Sequence, residues 1–210
     1  MASENSTSLS LQLQSLDDNY LTGSVVELHA AITEGNVAKI ETMLDQDWKA
    51  VDLVSKYHLL HTAASCGQVA TVKLLIAKYN WPVDCKNEKE QTPLHVACGS
   101  GHLDVIRVLV LECKADLNAR DKDGDMPLHT AARYGRTDII KCLIDKFKCD
   151  PSTTGYEGRT ILHYACYEGH IELVKVLLKQ YLMDPLSNDD NGNNSLHFAV
   201  HGGREKNTLY

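Results

Sequence analysis

The sequence predicts an all-α repeat solenoid, in which pairs of short helices stack along the chain. A Leu-His pair recurs six times between Leu28-His29 and Leu196-His197, and its histidines are spaced by 32, 34, 34, 34 and 34 residues. Each pair is followed by small residues and then a glycine, and apolar residues recur at the same 34-residue step between the glycines. Self-similarity at such a period is typical of stacked helical repeats.

The third unit shows why each repeat forms two helices. Thr92 is a favourable N-cap residue, and Pro93 suits the first helical position because a missing N–H costs nothing there. Gly101 ends the first helix by adopting the left-handed conformation. The second helix begins just after it and has its apolar residues at helical spacing: Leu103, Ile106, Leu109 and Val110.

Columns of equivalent residues predict the core. Helices of about eight to ten residues are unstable alone in water, so each unit must cover the next. One column holds only small residues, where a larger side chain would push adjacent helices apart: Ala64, Cys98, Ala132 and Cys166. Two columns of the second helix are aliphatic: Val72, Ile106, Ile140 and Val174, then Leu75, Leu109, Leu143 and Leu177.

The third unit carries a recognisable pattern. The segment Thr92-Pro93-Leu94-His95-x-Ala97-x-x-x-Gly101-His102, with Val105, Leu109 and Ala115-Asp116-Leu117-Asn118 after it, resembles the ankyrin repeat. The resemblance covers residues 24–204 in about six units: 24–55, 56–89, 90–123, 124–157, 158–191 and the incomplete 192–204. It implies stacked antiparallel helix pairs with β-hairpin fingers, an L-shaped section and a concave face.

The chain departs from that family in its period and at its ends. The unit has 34 residues rather than the usual 33, and the extra residue falls after a second helix that lacks a terminal glycine. We therefore predict a slightly longer helix or a non-glycine cap there. We expect the first unit to serve as an N-terminal cap. At the other end, either the chain is a fragment or residues 189–210 act as a short, poorly covered C-terminal cap. Residues 1–23 form a disordered tail or pack over the first unit, and residues 205–210 form a C-terminal tail.

The regularly spaced histidines invite a metal hypothesis, which helix spacing excludes. Stacked helices lie roughly 8–10 Å apart, whereas a Zn–N bond is about 2 Å long. One histidine per unit therefore cannot converge on a single ion, and we predict no metal and no cofactor. The structural interpretation, which the resemblance also implies, is that these imidazoles bond backbone groups and join the repeats: His61, His95, His129, His163 and His197.

Catalytic motifs are absent from the sequence. It contains no GxxxxGK[ST], GxSxG or HExxH. The acidic run 121–125 resembles a calcium loop, but Ala132 stands where the bidentate glutamate belongs. Cys98 and Cys166 fall in the small-residue column, which makes them poor nucleophiles. We predict a non-enzymatic protein, and a site shared between repeats is the alternative that the sequence leaves open.

The charge balance and the cysteine content limit which class of partner and which cellular compartment we expect. The chain has 21 Lys plus Arg and 28 Asp plus Glu, a net charge of −7, which argues against nucleic acid as a partner. No stretch approaches the roughly 20 apolar residues of a membrane span, and no signal peptide precedes the repeats. Seven cysteines without a CxxC pair indicate reduced thiols. We expect a monomer in the cytoplasm, with the nucleus as a second location.

Two kinds of position in each unit have no role in stabilising the repeat: the hairpin tip and the end of the first helix. In proteins similar to this one both face the concave side. Tyrosine and arginine, the residue types that most often anchor interfaces, occur there on neighbouring units. We predict a partner-binding surface of mixed polarity, with ordinary surface variation as the alternative. Its residues are Gln91, Asp125, Arg133, Tyr134, Tyr156, Arg159, Tyr167 and Glu168.

These observations predict a non-enzymatic interaction module or scaffold that binds a protein or peptide on its concave face. The alternative is the recognition segment of a larger multidomain signalling protein, such as a kinase, a receptor or a ubiquitin-ligase adaptor. The resemblance also implies that Asn118 occupies a position where ankyrin repeats can be hydroxylated by an asparaginyl hydroxylase. A hairpin-stabilising role is the alternative interpretation of Asn118, and the one we favour.

Overall fold

A computed structural model describes residues 23–47 and 53–202. The expectations for the N-terminal tail up to residue 22 and for residues 205–210 lie outside the described residues. Within the described ranges every regular element is helical and no β-strand is present. The all-helical part of the prediction is therefore confirmed for this part of the chain.

The helices alternate along the chain between two positions of each unit. The first helices are α1 (Gly23–Glu34), α3 (Leu53–Ser65), α5 (Pro93–Ser100), α7 (Pro127–Arg133), α9 (Ile161–Glu168) and α11 (Ser195–His201). The second helices are α2 (Val37–Asp47), α4 (Val69–Lys73), α6 (Leu103–Arg107), α8 (Thr137–Lys141) and α10 (Ile171–Lys179). Three second helices continue as π-helical turns, at Leu74–Lys78, Val108–Glu112 and Cys142–Lys146. A 3₁₀ turn, Tyr156–Gly158, precedes α9.

The helices stack in two layers. Each first helix contacts the first helix of the next unit, from α1 through to α11. Second helices contact each other at α4–α6 and α8–α10, and the two helices of one unit contact each other as well. Because these contacts lie within a unit or between adjacent units, the stability of the stack is a sum of unit and nearest-neighbour terms along the chain.

The predicted columns form the core. The small-residue column is fully covered, with Ala64, Cys98 and Ala132 at 0% exposure and Cys166 at 5%. The aliphatic columns of the second helices are also buried. At the start of α5, the backbone N–H of Thr92 donates to Nδ1 of His95 at 3.1 Å, and Gly101 closes the helix at φ 97°. Sequence and structure agree on both ends of this helix.

The extra residue of the 34-residue period lies in the π-helical turns. The backbone N–H of Cys113 donates to the carbonyl of Val108, five residues earlier, at 3.0 Å. A turn closed in this way holds one residue more than an α-helical turn. The chain then passes through a left-handed residue that is not glycine, at Asn80, Lys114, Lys148 and Leu182. The predicted longer helix and non-glycine cap are therefore both confirmed.

The β-hairpin fingers are not confirmed in the described residues. The connections are tight turns closed by a few local backbone hydrogen bonds, such as those from the N–H of Asp121 to the carbonyl of Asp125 at 2.9 Å and from the N–H of Gly124 to the carbonyl of Asp121 at 3.0 Å. Neighbouring turns are joined singly, since the N–H of Lys122 donates to the carbonyl of Lys89 at 3.0 Å. A strand needs successive bonds of a ladder, and these isolated bonds do not provide one.

Candidate functional site

Three exposed tyrosines mark the predicted binding surface. Tyr134 follows α7 and is 57% exposed, Tyr156 lies in the turn before α9 and is 39% exposed, and Tyr167 lies near the end of α9 and is 42% exposed. We call these three residues the tyrosine surface. The Tyr134 ring lies against Gly99 of the preceding unit, where an added Cβ would stand 3.1 Å from its Cδ2 atom.

Asp125, predicted to contact a partner, is instead buried at 1% exposure. Its carboxylate accepts hydrogen bonds from Arg133 Nη2 at 2.7 Å, from Tyr164 Oη at 2.5 Å and from the backbone N–H of Tyr156 at 3.0 Å. A carboxylate that is buried in this way and already accepts three hydrogen bonds from the protein is not accessible to a partner. The structure therefore corrects this assignment: Asp125 holds the turn of Tyr156 and the side chain of Arg133 in place.

Arg133 is partly engaged in the interior. Its guanidinium carbon lies 5.0 Å from the centre of the Tyr164 ring, and its side chain is 36% exposed. Burial, followed by the hydrogen bond to Asp125, raises the pKa of the Tyr164 phenol. Tyr164 therefore stays protonated and continues to donate to the carboxylate.

Arg159 is enclosed by aromatic and acidic groups. Its guanidinium carbon lies 5.0 Å from the Tyr156 ring centre and 4.9 Å from that of Phe198. Its Nη2 donates to Glu157 at 2.5 Å, and its Nε lies 3.7 Å from Oδ2 of the buried Asp189. Because the side chain is only 26% exposed, this cation fixes the Tyr156 ring in position more than it offers charge to a partner.

Phe198 connects this arrangement to Tyr167. The two rings meet edge to face, with centres 6.4 Å apart, and the His163 ring lies 5.1 Å from Phe198 on another side. The His201 ring lies 6.2 Å from Tyr167. Contacts therefore run without a break from Tyr156 through Arg159 and Phe198 to Tyr167, which joins two of the three exposed rings to one rigid support.

Sequence reasoning missed Tyr164 and Phe198, although a signal was present. Both occupy the column that holds Thr62, Val96 and Thr130 in earlier units. The column changes to aromatic residues in the fifth and sixth units, directly after the unit that holds Tyr134 and Tyr156. A column that switches residue class next to a predicted surface therefore points to side chains that support that surface.

Two further predicted residues lie at the edge of this region. Glu168 is the last residue of α9 and is half-buried. Gln91 lies in the turn before α5, and its backbone carbonyl accepts a hydrogen bond from His61 at 2.7 Å. Within the described residues no hydrogen bond or ring contact joins Gln91 to the tyrosine surface.

The repeated histidines bond carbonyls that follow their own helix: the carbonyls bonded by His61 and His95 lie in the next unit, and those bonded by His129 and His163 lie in the same unit. In each of four units the imidazole Nε2 bonds a carbonyl of the following turn: His61 to Gln91, His95 to Asp125, His129 to Thr153 and His163 to Ser187, at 2.7 to 3.0 Å. For His95, His129 and His163 the Nδ1 atom accepts a backbone N–H, so we assign the proton to Nε2. Burial lowers the pKa of these three imidazoles.

His197 differs from the other histidines because it is exposed. Its Nδ1 accepts the backbone N–H of Asn194 at 3.1 Å. The described residues provide no carbonyl for its Nε2. The same residue type therefore has a full set of bonds inside the stack and half of that set at its edge.

The described residues give little support to a metal site, to a reactive cysteine or to a membrane span. No group of three or more His, Cys, Asp or Glu side chains there is placed to hold a metal ion. Burial raises the pKa of Cys85 to about 12 and that of Cys166 to about 11, which suppresses the reactive thiolate. None of the described helices combines the length and the apolarity that crossing a bilayer requires.

Comparison with known proteins identifies the family. The model for ankyrin repeats matches in three copies, at residues 28–121, 111–188 and 149–209. The chain belongs to the ankyrin repeat family. The human ankyrin repeat domain-containing protein 53 is 35% identical over 82 residues, which are 39% of this chain and 15% of that protein. Ankyrin repeats are generally non-enzymatic protein–protein interaction modules. The count of about six units stays a prediction.

Proposed function

We propose that this chain is a non-enzymatic interaction module that holds a protein or peptide on the concave face of its repeat stack, across the fourth and fifth units. The observation that carries the proposal is the exposure of Tyr134, Tyr156 and Tyr167, at 57%, 39% and 42%. Each of these rings contacts the protein on one side and leaves a large part of its area open to solvent. Tyrosine is enriched at interface hot spots because it buries a large area and keeps a polar end.

The support beneath these rings favours binding without reorganisation. Asp125 fixes the backbone of Tyr156, and Arg159 lies between the rings of Tyr156 and Phe198. Phe198 in turn packs against Tyr167. A surface ordered before the partner arrives loses less conformational entropy on binding. This rigidity is the mechanism that we assign to the module.

A capture experiment with matched variants tests the proposal. The chain is immobilised as wild type, as Tyr134→Ala/Tyr167→Ala and as the control Val26→Ala/Leu111→Ala, which removes exposed apolar side chains elsewhere. Circular dichroism establishes that each variant is folded. We expect proteins that wild type and control retain and that the tyrosine variant loses. Equal retention by all three chains would contradict the proposal.

A second candidate is the recognition segment of a larger multidomain signalling protein, such as a kinase, a receptor or a ubiquitin-ligase adaptor. Its support is the length of the human relative, of which the matched 82 residues are 15%. The full-length transcript decides between the candidates. A reading frame that continues past Tyr210 into a further domain supports the second one, and a stop codon after Tyr210 contradicts it.

We also infer a monomer in the cytoplasm, with the nucleus as a second location, that does not bind nucleic acid. The seven free cysteines and the net charge of −7 support these inferences. Light scattering after size-exclusion chromatography tests the monomer.

Asn118 is exposed, and its backbone N–H donates to the Asp116 carboxylate at 2.9 Å. Its hydroxylation stays a prediction, which mass spectrometry of the native protein tests.

A further inference from the structure

Two phenols of the tyrosine surface differ from the other phenols that the structure describes. Three of those others donate to a carboxylate of the chain at 2.5 to 3.1 Å: Tyr79 to Asp45, Tyr164 to Asp125 and Tyr181 to Asp145. A hydrogen bond to the Glu157 carboxylate raises the pKa of the Tyr156 phenol. The hydroxyls of Tyr134 and Tyr167 have no hydrogen-bond partner among the described residues. These two hydroxyls are therefore free to donate to a ligand.

The rings of Tyr134 and Tyr167 are supported on one side and open on the other. Tyr134 lies against Gly99, which has no side chain to hold the ring away from the helix. Tyr167 packs edge to face on Phe198 of α11, with ring centres 6.4 Å apart. At 57% and 42% exposure, each residue presents a flat apolar area together with an unused donor. A matching ligand needs flat apolar groups and free hydrogen-bond acceptors.

The unpaired charges next to these rings do not favour a ligand of either sign. The turns 120–125, 155–159 and 189–193 and the segments 133–136 and 167–170 hold three cations and three carboxylates that are not buried and form no ion pair with a described residue: Arg120, Lys122 and Arg136, then Asp123, Glu168 and Asp190. Since neither sign is in excess among these groups, an uncharged ligand fits the surface best.

Three common modes of peptide recognition do not fit this combination of groups. Addition of a strand needs the edge of a sheet, and residues 23–47 and 53–202 form no β-strand. A helical peptide bonds its backbone carbonyls internally, so its backbone cannot accept from the two phenols. An acidic motif needs a cluster of available arginines, whereas Arg133 and Arg159 are paired with carboxylates. Arg120 and Arg136 in turn donate to backbone carbonyls.

We propose that the tyrosine surface binds an uncharged, proline-rich segment in the polyproline II conformation. Its proline rings pack on Tyr134 and Tyr167, and its backbone carbonyls accept from their hydroxyls, because this conformation has no internal hydrogen bonds. Three of its residues advance about 9 Å, close to the roughly 8–10 Å between stacked helices, so that every third residue faces a successive unit. The inference rests on the proposed function and names the chemistry of its partner.

Fluorescence anisotropy with the full chain provides the test. The probe is a labelled peptide of Pro-Pro-Ala repeats, and the control peptide has glycine in place of every proline. We expect the proline peptide to bind about tenfold or more tightly, because glycine offers no ring and the flexible chain must be ordered on binding. We also expect its affinity to change less than about twofold between about 0.05 and about 0.5 M salt, because no charge takes part in the contact.

Variants with a matched control locate the contact. Tyr134→Ala/Tyr167→Ala removes rings and donors, and should weaken binding of the proline peptide about tenfold or more. Tyr134→Phe/Tyr167→Phe keeps the rings but removes the donors, and should weaken binding roughly 3- to 10-fold. Tyr79→Phe/Tyr181→Phe removes two phenols that already donate to carboxylates elsewhere, and should leave binding unchanged. Circular dichroism establishes that each variant is folded.

The possible failures can be told apart. The inference is overturned if the glycine peptide binds as tightly as the proline peptide, if neither peptide binds, or if salt weakens binding about tenfold. It is also overturned if Tyr134→Phe/Tyr167→Phe binds like wild type or no more weakly than the control pair. If protein capture depends on Tyr134 and Tyr167 while the proline peptide fails these tests, the proposed function stands and only the partner chemistry is wrong. If capture is independent of both tyrosines, the proposed function itself fails.

Discussion

Replacement of Asp125 by alanine tests the central claim about the site, that a carboxylate in the interior organises the surface above it. Asp125 is 1% exposed and accepts three hydrogen bonds. Alanine leaves the donors of Arg133, Tyr164 and Tyr156 without their common acceptor. A buried donor without a partner destabilises the folded state more than the same donor in water.

The expected cost follows from the three bonds. The neutral donors, Tyr164 Oη and the Tyr156 backbone N–H, contribute about 1 kcal/mol each. The charged bond to Arg133 would contribute about 1.5–3 kcal/mol if it were fully buried. Because the Arg133 side chain is 36% exposed, water recovers part of this energy and about 1 kcal/mol remains. Asp125→Ala should therefore cost about 3 kcal/mol, and Asp125→Asn, which keeps one oxygen, about 1–2 kcal/mol.

Urea unfolding followed by far-ultraviolet circular dichroism measures these free energies. Asp123→Ala is the control, because this exposed side chain two residues away makes no hydrogen bond to the described residues, and its cost should stay below about 0.5 kcal/mol. A double-mutant cycle with Arg133→Met should return a coupling energy of about 1 kcal/mol. Additive effects, or an Asp125→Ala cost no larger than that of the control, would refute the reasoning.

Three further predictions concern the repeat stack. Burial lowers the pKa of imidazoles such as His95 below 6.5, so the unfolded state binds more protons than the folded state below that pH. The stability that is present above pH 6.5 should therefore fall as the pH is lowered from 6.5 through the folded-state pKa. Urea unfolding between about pH 7.5 and 5.5 checks this, and an unchanged unfolding midpoint contradicts it. Ala132→Leu should lower the free energy of unfolding by about 1–3 kcal/mol, because the larger side chain over-packs the seam between units. The control Val200→Leu, in the same column but at 66% exposure, should lower it by less than about 0.5 kcal/mol. Equal losses of unfolding free energy would show that the assigned register of the columns is wrong. His129→Ala should lower the unfolding free energy by about 1–3 kcal/mol and His197→Ala by clearly less, because only His129 has both ring nitrogens bonded; comparable costs in urea unfolding would contradict the bonding scheme.

The fold was predictable because each unit repeats one environment. Thr92 and Gly101 bound α5 as their types require, since N-caps and left-handed positions select few residues. The period was equally informative, because a thirty-fourth residue had to be absorbed somewhere and no glycine was available at the end of the second helix. The sequence could not show that a π-helical turn would absorb it, since that choice depends on the packing of the whole turn.

The site was predictable only in part, because residues at equivalent positions of different units can differ in their exposure to solvent. The ring positions Tyr134, Tyr156 and Tyr167 are exposed as expected. Asp125 occupies the same column as the half-buried Arg159, yet it points into the protein. Its acceptor role depends on Tyr164, 39 residues further along the chain. A contact at this separation leaves no trace in the local sequence, so the inward orientation of Asp125 required the structure.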